Sequence, residues 1–156
     1  MRWNRRLGAR FVLRVAVIGL LSCGRVHPQQ EGSYALFVTG ILRDGCNLQS
    51  TLGMTFEGTL YLAGNIAWFQ LDDALFGMEL RGNFKENIEQ FHLDGSVSNI
   101  LTPVQGTSCL LDEIMIHLEA ITDDGNNFHG AMRLRYVSLL NSMCLCELWA
   151  NYRAVH

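Results

Sequence analysis

Charge, proline and catalytic motifs are what this sequence has little of. Charged residues make up 17% of the 156, and 12 Lys+Arg fall short of 15 Asp+Glu. That balance leaves no basic excess for nucleic acid. Two Pro beside 15 Gly exclude a Pro-rich linker and a collagen-like repeat, and 49% hydrophobic residues exclude a disordered chain. There is no Gly-x-Ser-x-Gly elbow, phosphate-binding glycine loop, His-Glu-x-x-His pair or dinucleotide fingerprint. The chain is therefore read as non-enzymatic, with no cofactor implied. A membrane-spanning run is missing too. Phe11 to Ser22 is 12 residues interrupted by Arg14, against about 20 for a helix that crosses a bilayer. What is present is enough chain for one domain with its own core.

The charge is unevenly placed. Arg2, Arg5, Arg6, Arg10 and Arg14 all precede the first acid, Glu31. Val15-Ala16-Val17-Ile18-Gly19-Leu20-Leu21 follows the last of them, and then Ser22-Cys23-Gly24. A basic start, a short apolar stretch and small residues behind it form a secretory signal. Leu20-Leu21-Ser22-Cys23 resembles the lipobox of bacterial lipoproteins, over the first two dozen residues only. The resemblance implies cleavage before Cys23, a diacylglycerol thioether on that cysteine and a third acyl chain on its freed amine. Two or more chains anchor a protein stably. Gly24, where an Asp would resemble a retention signal, implies the outer membrane as the destination.

Ordinary cleavage within Ser22-Cys23-Gly24 is the alternative, leaving a periplasmic or secreted soluble domain without lipid. Cysteine parity bears on the choice. Five is odd, and lipid on Cys23 leaves Cys46, Cys109, Cys144 and Cys146, an even set suited to an oxidising compartment. Loss of five arginines with the signal leaves seven basic residues against 15 acids, a net charge of −8. A charge of that sign disfavours nucleic acid and anionic lipid as partners of the folded domain.

The chain divides into a signal peptide (1–22), a polar tether with Pro28 (23–33) and a single antiparallel β domain (34–156). Leu110, Ile114, Ile116, Leu118 and Ala120 alternate with polar residues, as do Phe128, Met132, Leu134 and Tyr136. The Gly/Asn/Asp run between them makes an antiparallel hairpin. Further runs over Tyr34–Leu42, Thr59–Leu62, Ile66–Leu71, Leu75–Arg81, Ile88–Ser98 and Met143–Arg153 bring the total to about eight strands. Gly82-Asn83 is read as a turn, and Pro103 to Gly106 as a longer loop. No helical segment follows the signal. Eight sequential strands fit an up-and-down barrel, with a β-sandwich as alternative; closure removes exposed edges. The architecture is similar to lipocalin-like barrels at the level of class, but Gly40-Ile41-Leu42 stands in place of their Gly-x-Trp, so no ligand residues carry over.

Cys144 and Cys146 lie two apart, so each is expected to reach a different partner, Cys46 or Cys109, rather than each other. A C-x-C spacing is tighter than the usual zinc pair. His92-x-Asp94, His117-x-Glu119 and His129 are the candidates for metal binding or acid–base work, set against solvated pairs on a polar strand face. Arg133-x-Arg135 is a candidate anion grip, set against cross-strand pairing with Glu113, His117 and Glu119. Tyr61, Trp68, Phe69, Phe84, Trp149 and Tyr152 are read as core before pocket lining. The expected protein is a lipid-anchored envelope module that binds or carries a small apolar ligand. The alternative is a structural or inhibitory protein that contacts an envelope protein through its outer face. Cavity volume separates them.

Overall fold

The computed structural model describes residues 29–48, 55–72 and 77–156. Residues 1–22, read as a signal, and Cys23, Pro28 and Leu75 lie outside the described residues. The domain is all-β. Eight strands follow in chain order: β1 Gly32–Asp44, β2 Thr55–Ala63, β3 Ile66–Leu71, β4 Glu79–Phe84, β5 Gln90–Val104, β6 Thr107–Asp124, β7 Asn127–Val137 and β8 Cys146–Val155. Each pairs antiparallel with the next, and β8 returns to β1, which closes a barrel and excludes the sandwich. Two register shifts in β1, at Val38/Gly40 and Ile41/Arg43, bend that strand where it meets β8.

Strand alternation sorts the side chains. In β8, Leu148, Ala150, Tyr152 and Ala154 are buried, while Glu147, Trp149, Asn151 and Arg153 face outward. Inside, Phe128 lies 5.2 Å from Tyr34, 5.3 Å from Phe91 and 6.2 Å from Tyr152, ring centre to ring centre. Leu60, Phe69, Leu80, Leu93, Ile114 and Leu118 are buried around them. The apolar interior and largely polar exterior are the reverse of a lipid-embedded barrel, whose apolar band faces out.

Three expectations give way to pairing. Gly82-Asn83 is no turn but part of β4. Gly82 lies against the carbonyl of His92 on β5, where a Cβ would collide with backbone, and Gly130 lies equally close to the carbonyl of Glu119. Glycine admits close approach of a neighbouring backbone. Nor do Pro103 and Gly106 bound a long loop. β5 runs through Pro103 to Val104, and the turn is two residues, Gln105 and Gly106, with φ of 49° and 79°. Positive φ at both central residues suits the twist of a two-residue hairpin. Met143 and Cys144, read as strand, lie in a single 3-10 turn, Ser142–Cys144, and β8 begins only at Cys146.

The β5–β6 hairpin outgrows the barrel. Among the described residues β4 pairs with β5 only over Phe91–Asp94, and β7 pairs with β6 only from Glu113 onward. Beyond that lies a two-stranded arm, residues 97–112. Asn99, at φ 60°, marks its base. There the inward side changes from odd to even positions on β5, Leu93 to Val104, and from even to odd on β6, Ile114 to Leu111. Leu110 therefore does not share the face of Ile114, as alternation had suggested. It is exposed, and Leu111 is buried. The arm folds across the end of the barrel, where the Gln105 side-chain amide donates to the Gly45 carbonyl at 2.7 Å. Disulfides Cys46–Cys146 and Cys109–Cys144 pin this end, each of the last two cysteines having its own partner.

Candidate functional site

Among the described residues the interior leaves little room. A gap of about 20 Å³ lies among Leu36, Phe56, Leu71, Leu80, Met132 and Leu134, no larger than a water and lined by apolar side chains that would not hold one. Small-ligand sites start near 300 Å³. The candidate site is therefore sought on the outside.

The histidines do not converge. His92 stands opposite Asn83 and Glu119, His117 opposite Asp94 and Arg133, and His129 opposite Ile121 and Arg153. Of the pairs read along single strands, His117-x-Glu119 stays in contact, while Asp94 meets His117 across strands instead of His92. His117 Nδ1 meets Asp94 at 2.6 Å and its Nε2 meets Glu119 at 3.4 Å, while His129 meets Asp123 at 2.7 Å. Lys85 Nζ sits 2.7 Å from Glu119. Its hydrogen bond, more than any other influence, holds that carboxyl below its ordinary range. Among the described residues no group of three or more His, Cys, Asp or Glu side chains is placed to hold a metal. These are solvated pairs with individually small energies.

The aromatics divide. Phe69, Phe84 and Tyr152 are core, whereas Tyr61, Trp68 and Trp149 lie on the outer face, against the expectation that all six pack inside. Tyr152 donates from its hydroxyl to the Glu119 carbonyl at 3.1 Å, and burial drives its phenol well above the ordinary value.

Two outer features stand out. The first is apolar, at the capped end. Leu101 and Leu110, partners on the arm, are 72% and 54% exposed, and Leu139, Leu140 and Met143 of the β7–β8 connection are 84%, 86% and 69% exposed. Two hydrogen bonds between backbone and side chain join the two segments. The Leu139 N–H donates to Asp112 at 2.6 Å, and the Ser138 hydroxyl donates to the Leu110 carbonyl at 3.3 Å. The second is a cationic strip across β1, β8 and β7, where Arg43 faces Trp149 and Trp149 faces Arg133 in register. The Arg133 guanidinium lies 4.9 Å from the Trp149 ring centre and pairs with Glu147. Arg133 was expected to pair with Glu113, His117 or Glu119; the neighbouring strand β8 supplies Glu147 instead.

Compared with known proteins, the chain matches no family model, no curated protein and no solved structure. The site must be argued from its own geometry. Leu139-Leu140 went unremarked in the sequence because it lies outside every alternating run; two leucines directly before the turn former Asn141-Ser142 were the available signal.

Proposed function

We propose that this chain is an exported lipoprotein of the bacterial envelope, anchored through Cys23, whose barrel is a non-catalytic binding module for another envelope protein. The exposed leucine cluster at the capped end carries this reading, since contiguous exposed apolar surface marks an interaction site. The small interior gap among the described residues favours it over the carrier reading. With Cys46, Cys109, Cys144 and Cys146 paired among themselves, Cys23 has no cysteine left to join, which supports lipid as its fate.

The placement of the ends supports it too. Gln29 and Gln30 are fastened to the barrel at the β6–β7 turn, where the Gln30 N–H donates to the Gly125 carbonyl at 2.8 Å and the Gln29 amide donates to the Tyr34 hydroxyl at 2.6 Å. The leucine cluster lies at the opposite end, so a protein anchored before Gln29 presents it away from the lipid.

The test is chemical cross-linking in the native envelope followed by native mass spectrometry. The protein is expected to carry a protein partner that the variant Leu139→Ser/Leu140→Ser loses, with an unchanged melting temperature because both side chains are exposed. A partner retained by the variant, or a bound small apolar molecule in its place, would overturn the reading.

A further inference from the structure

Counting guanidiniums against carboxylates singles out the strip beside the leucine cluster. Glu147 is shared, pairing with Arg133 and standing 3.6 Å from Arg43. A hydrogen bond from the Trp149 side chain, then Arg133 and Arg43, hold its carboxyl below the ordinary range. Arg135 stands opposite Met115 on one side and the same Glu147 on the other, yet makes no ion pair or hydrogen bond among the described residues. Arg43 and Arg133 thus share Glu147 while Arg135 pairs with none of the described acids, in a chain whose acids outnumber its bases.

The surface is hollowed here. A depression of about 460 Å³ reaches from the Asp94–His117 pair, Ser96 and Met115 to Arg133 and Arg135, and a second of about 430 Å³ shares those arginines and runs to Arg43 and Leu145. Leu145 is exposed and ends the same connection that holds Leu139, Leu140 and Met143. The cationic strip and the apolar cluster are therefore neighbours.

We infer that this strip receives an acidic segment of the protein partner, its carboxylates on Arg135 and Arg43 and its apolar side chains toward Leu145. The inference rests on the protein-partner reading above and adds the partner's chemistry. A guanidinium fork with no internal acceptor is free for bidentate carboxylate binding. Trp149, already stacked with Arg133, supplies a flat apolar wall of the kind found at interface centres. An excess of cationic groups on an acidic molecule also steers an acidic partner to one face while the rest repels it.

The experiment is fluorescence anisotropy with labelled hexaglutamate and the purified, disulfide-intact protein. Saturable binding that weakens with salt is expected, with no binding of hexalysine. Arg135→Ala should weaken it about tenfold, as for loss of a charged hydrogen-bonded contact, and Arg135→Glu should abolish it. Arg153→Glu, the same charge change near the β6–β7 turn, should leave most of it. Equal loss in the Arg153 variant, no binding by the native protein, or preferential displacement by phosphatidylglycerol vesicles or an oligonucleotide would each overturn the inference. The leucine and arginine readings fail separately. Partner retention by Leu139→Ser/Leu140→Ser sinks the first, and indifference of the peptide to Arg135 sinks the second.

Discussion

At the scale of single residues, burial sets the protein's behaviour at the alkaline limit. Tyr136 is buried, and burial alone pushes its phenol from 10 up to about 12. The folded chain therefore holds this proton more tightly than the unfolded chain. Between pH 10 and about 12 the folded state binds more protons, so stability falls as pH rises, intact below 10 and lost through about 12. Two pKa units correspond to about 3 kcal/mol. Tyr34 and Tyr152 are raised in the same direction, burial again being the largest cause. Tyr136→Phe is expected to flatten the fall in unfolding free energy over that interval, with phenolate absorbance appearing later than in an unfolded reference. A variant with the unaltered alkaline curve would refute it. On the acid side the sign reverses. The lowered carboxyls of Glu119 and Glu147 contribute stability that is present above the ordinary carboxylate range and is lost as pH falls.

At the scale of elements, the two disulfides have unequal work. Cys46–Cys146 closes 100 residues of chain and Cys109–Cys144 closes 35. In the loop-entropy picture the first stabilises by about 5 kcal/mol and the second by about 4. Their structural consequences differ more. Cys109 sits on the arm, and Cys144 in the turn beside it. Cys109→Ser/Cys144→Ser is expected to speed hydrogen exchange across residues 97–112 while the amides of β2, β3 and β4 keep their protection. Cys46→Ser/Cys146→Ser should instead lower the denaturant midpoint of the whole barrel by the larger amount. Protection of the arm that persists without Cys109–Cys144 would show that packing of Val104 and Leu111 holds it unaided. This arm is also where the sequence was least legible. β6 and β7 announce themselves because alternation holds from Ile114 to Ala120 and again from Phe128 to Tyr136. The arm needs a change of parity at Asn99 on one strand and at Asp112, opposite it, on the other, and neither strand carries that change without its partner. Gly82-Asn83 misled for a related reason. Turn chemistry and close backbone approach both call for glycine, and only the neighbouring His92 carbonyl decides between them. In the site, Arg133 and Arg135 could be picked out as a pair on one strand face. Their surplus over Glu147 becomes visible only after β8 closes on β1 and brings Arg43 alongside.

At the scale of the molecule, the proposed anchor and the proposed binding end set an orientation. Five residues separate Cys23 from Gln29, a reach over six peptide steps of at most about 20 Å. The ten residues of β8 span roughly 33 Å at about 3.3 Å each, and strand tilt of 35–45° brings this to about 25 Å along the barrel axis. Ile66, exposed at the start of β3, lies at the tethered end, where the Leu62 N–H donates to Glu31 at 2.6 Å. Met143 lies at the capped end. In a nanodisc carrying a headgroup-bound gadolinium lipid, paramagnetic relaxation is expected to broaden the Ile66 methyls and leave the Met143 methyl sharp. Paramagnetic broadening falls steeply with distance, so a barrel length of separation is ample contrast. Cys23→Ala should remain outside the nanodisc fraction and show neither effect. Equal broadening at both ends would mean that the barrel lies on the membrane with its leucines in the interface, the cluster then serving as a lipid contact. Nanodisc capture of the Cys23→Ala protein would remove the lipid anchor from the proposal and leave the leucine cluster to explain membrane attachment by itself.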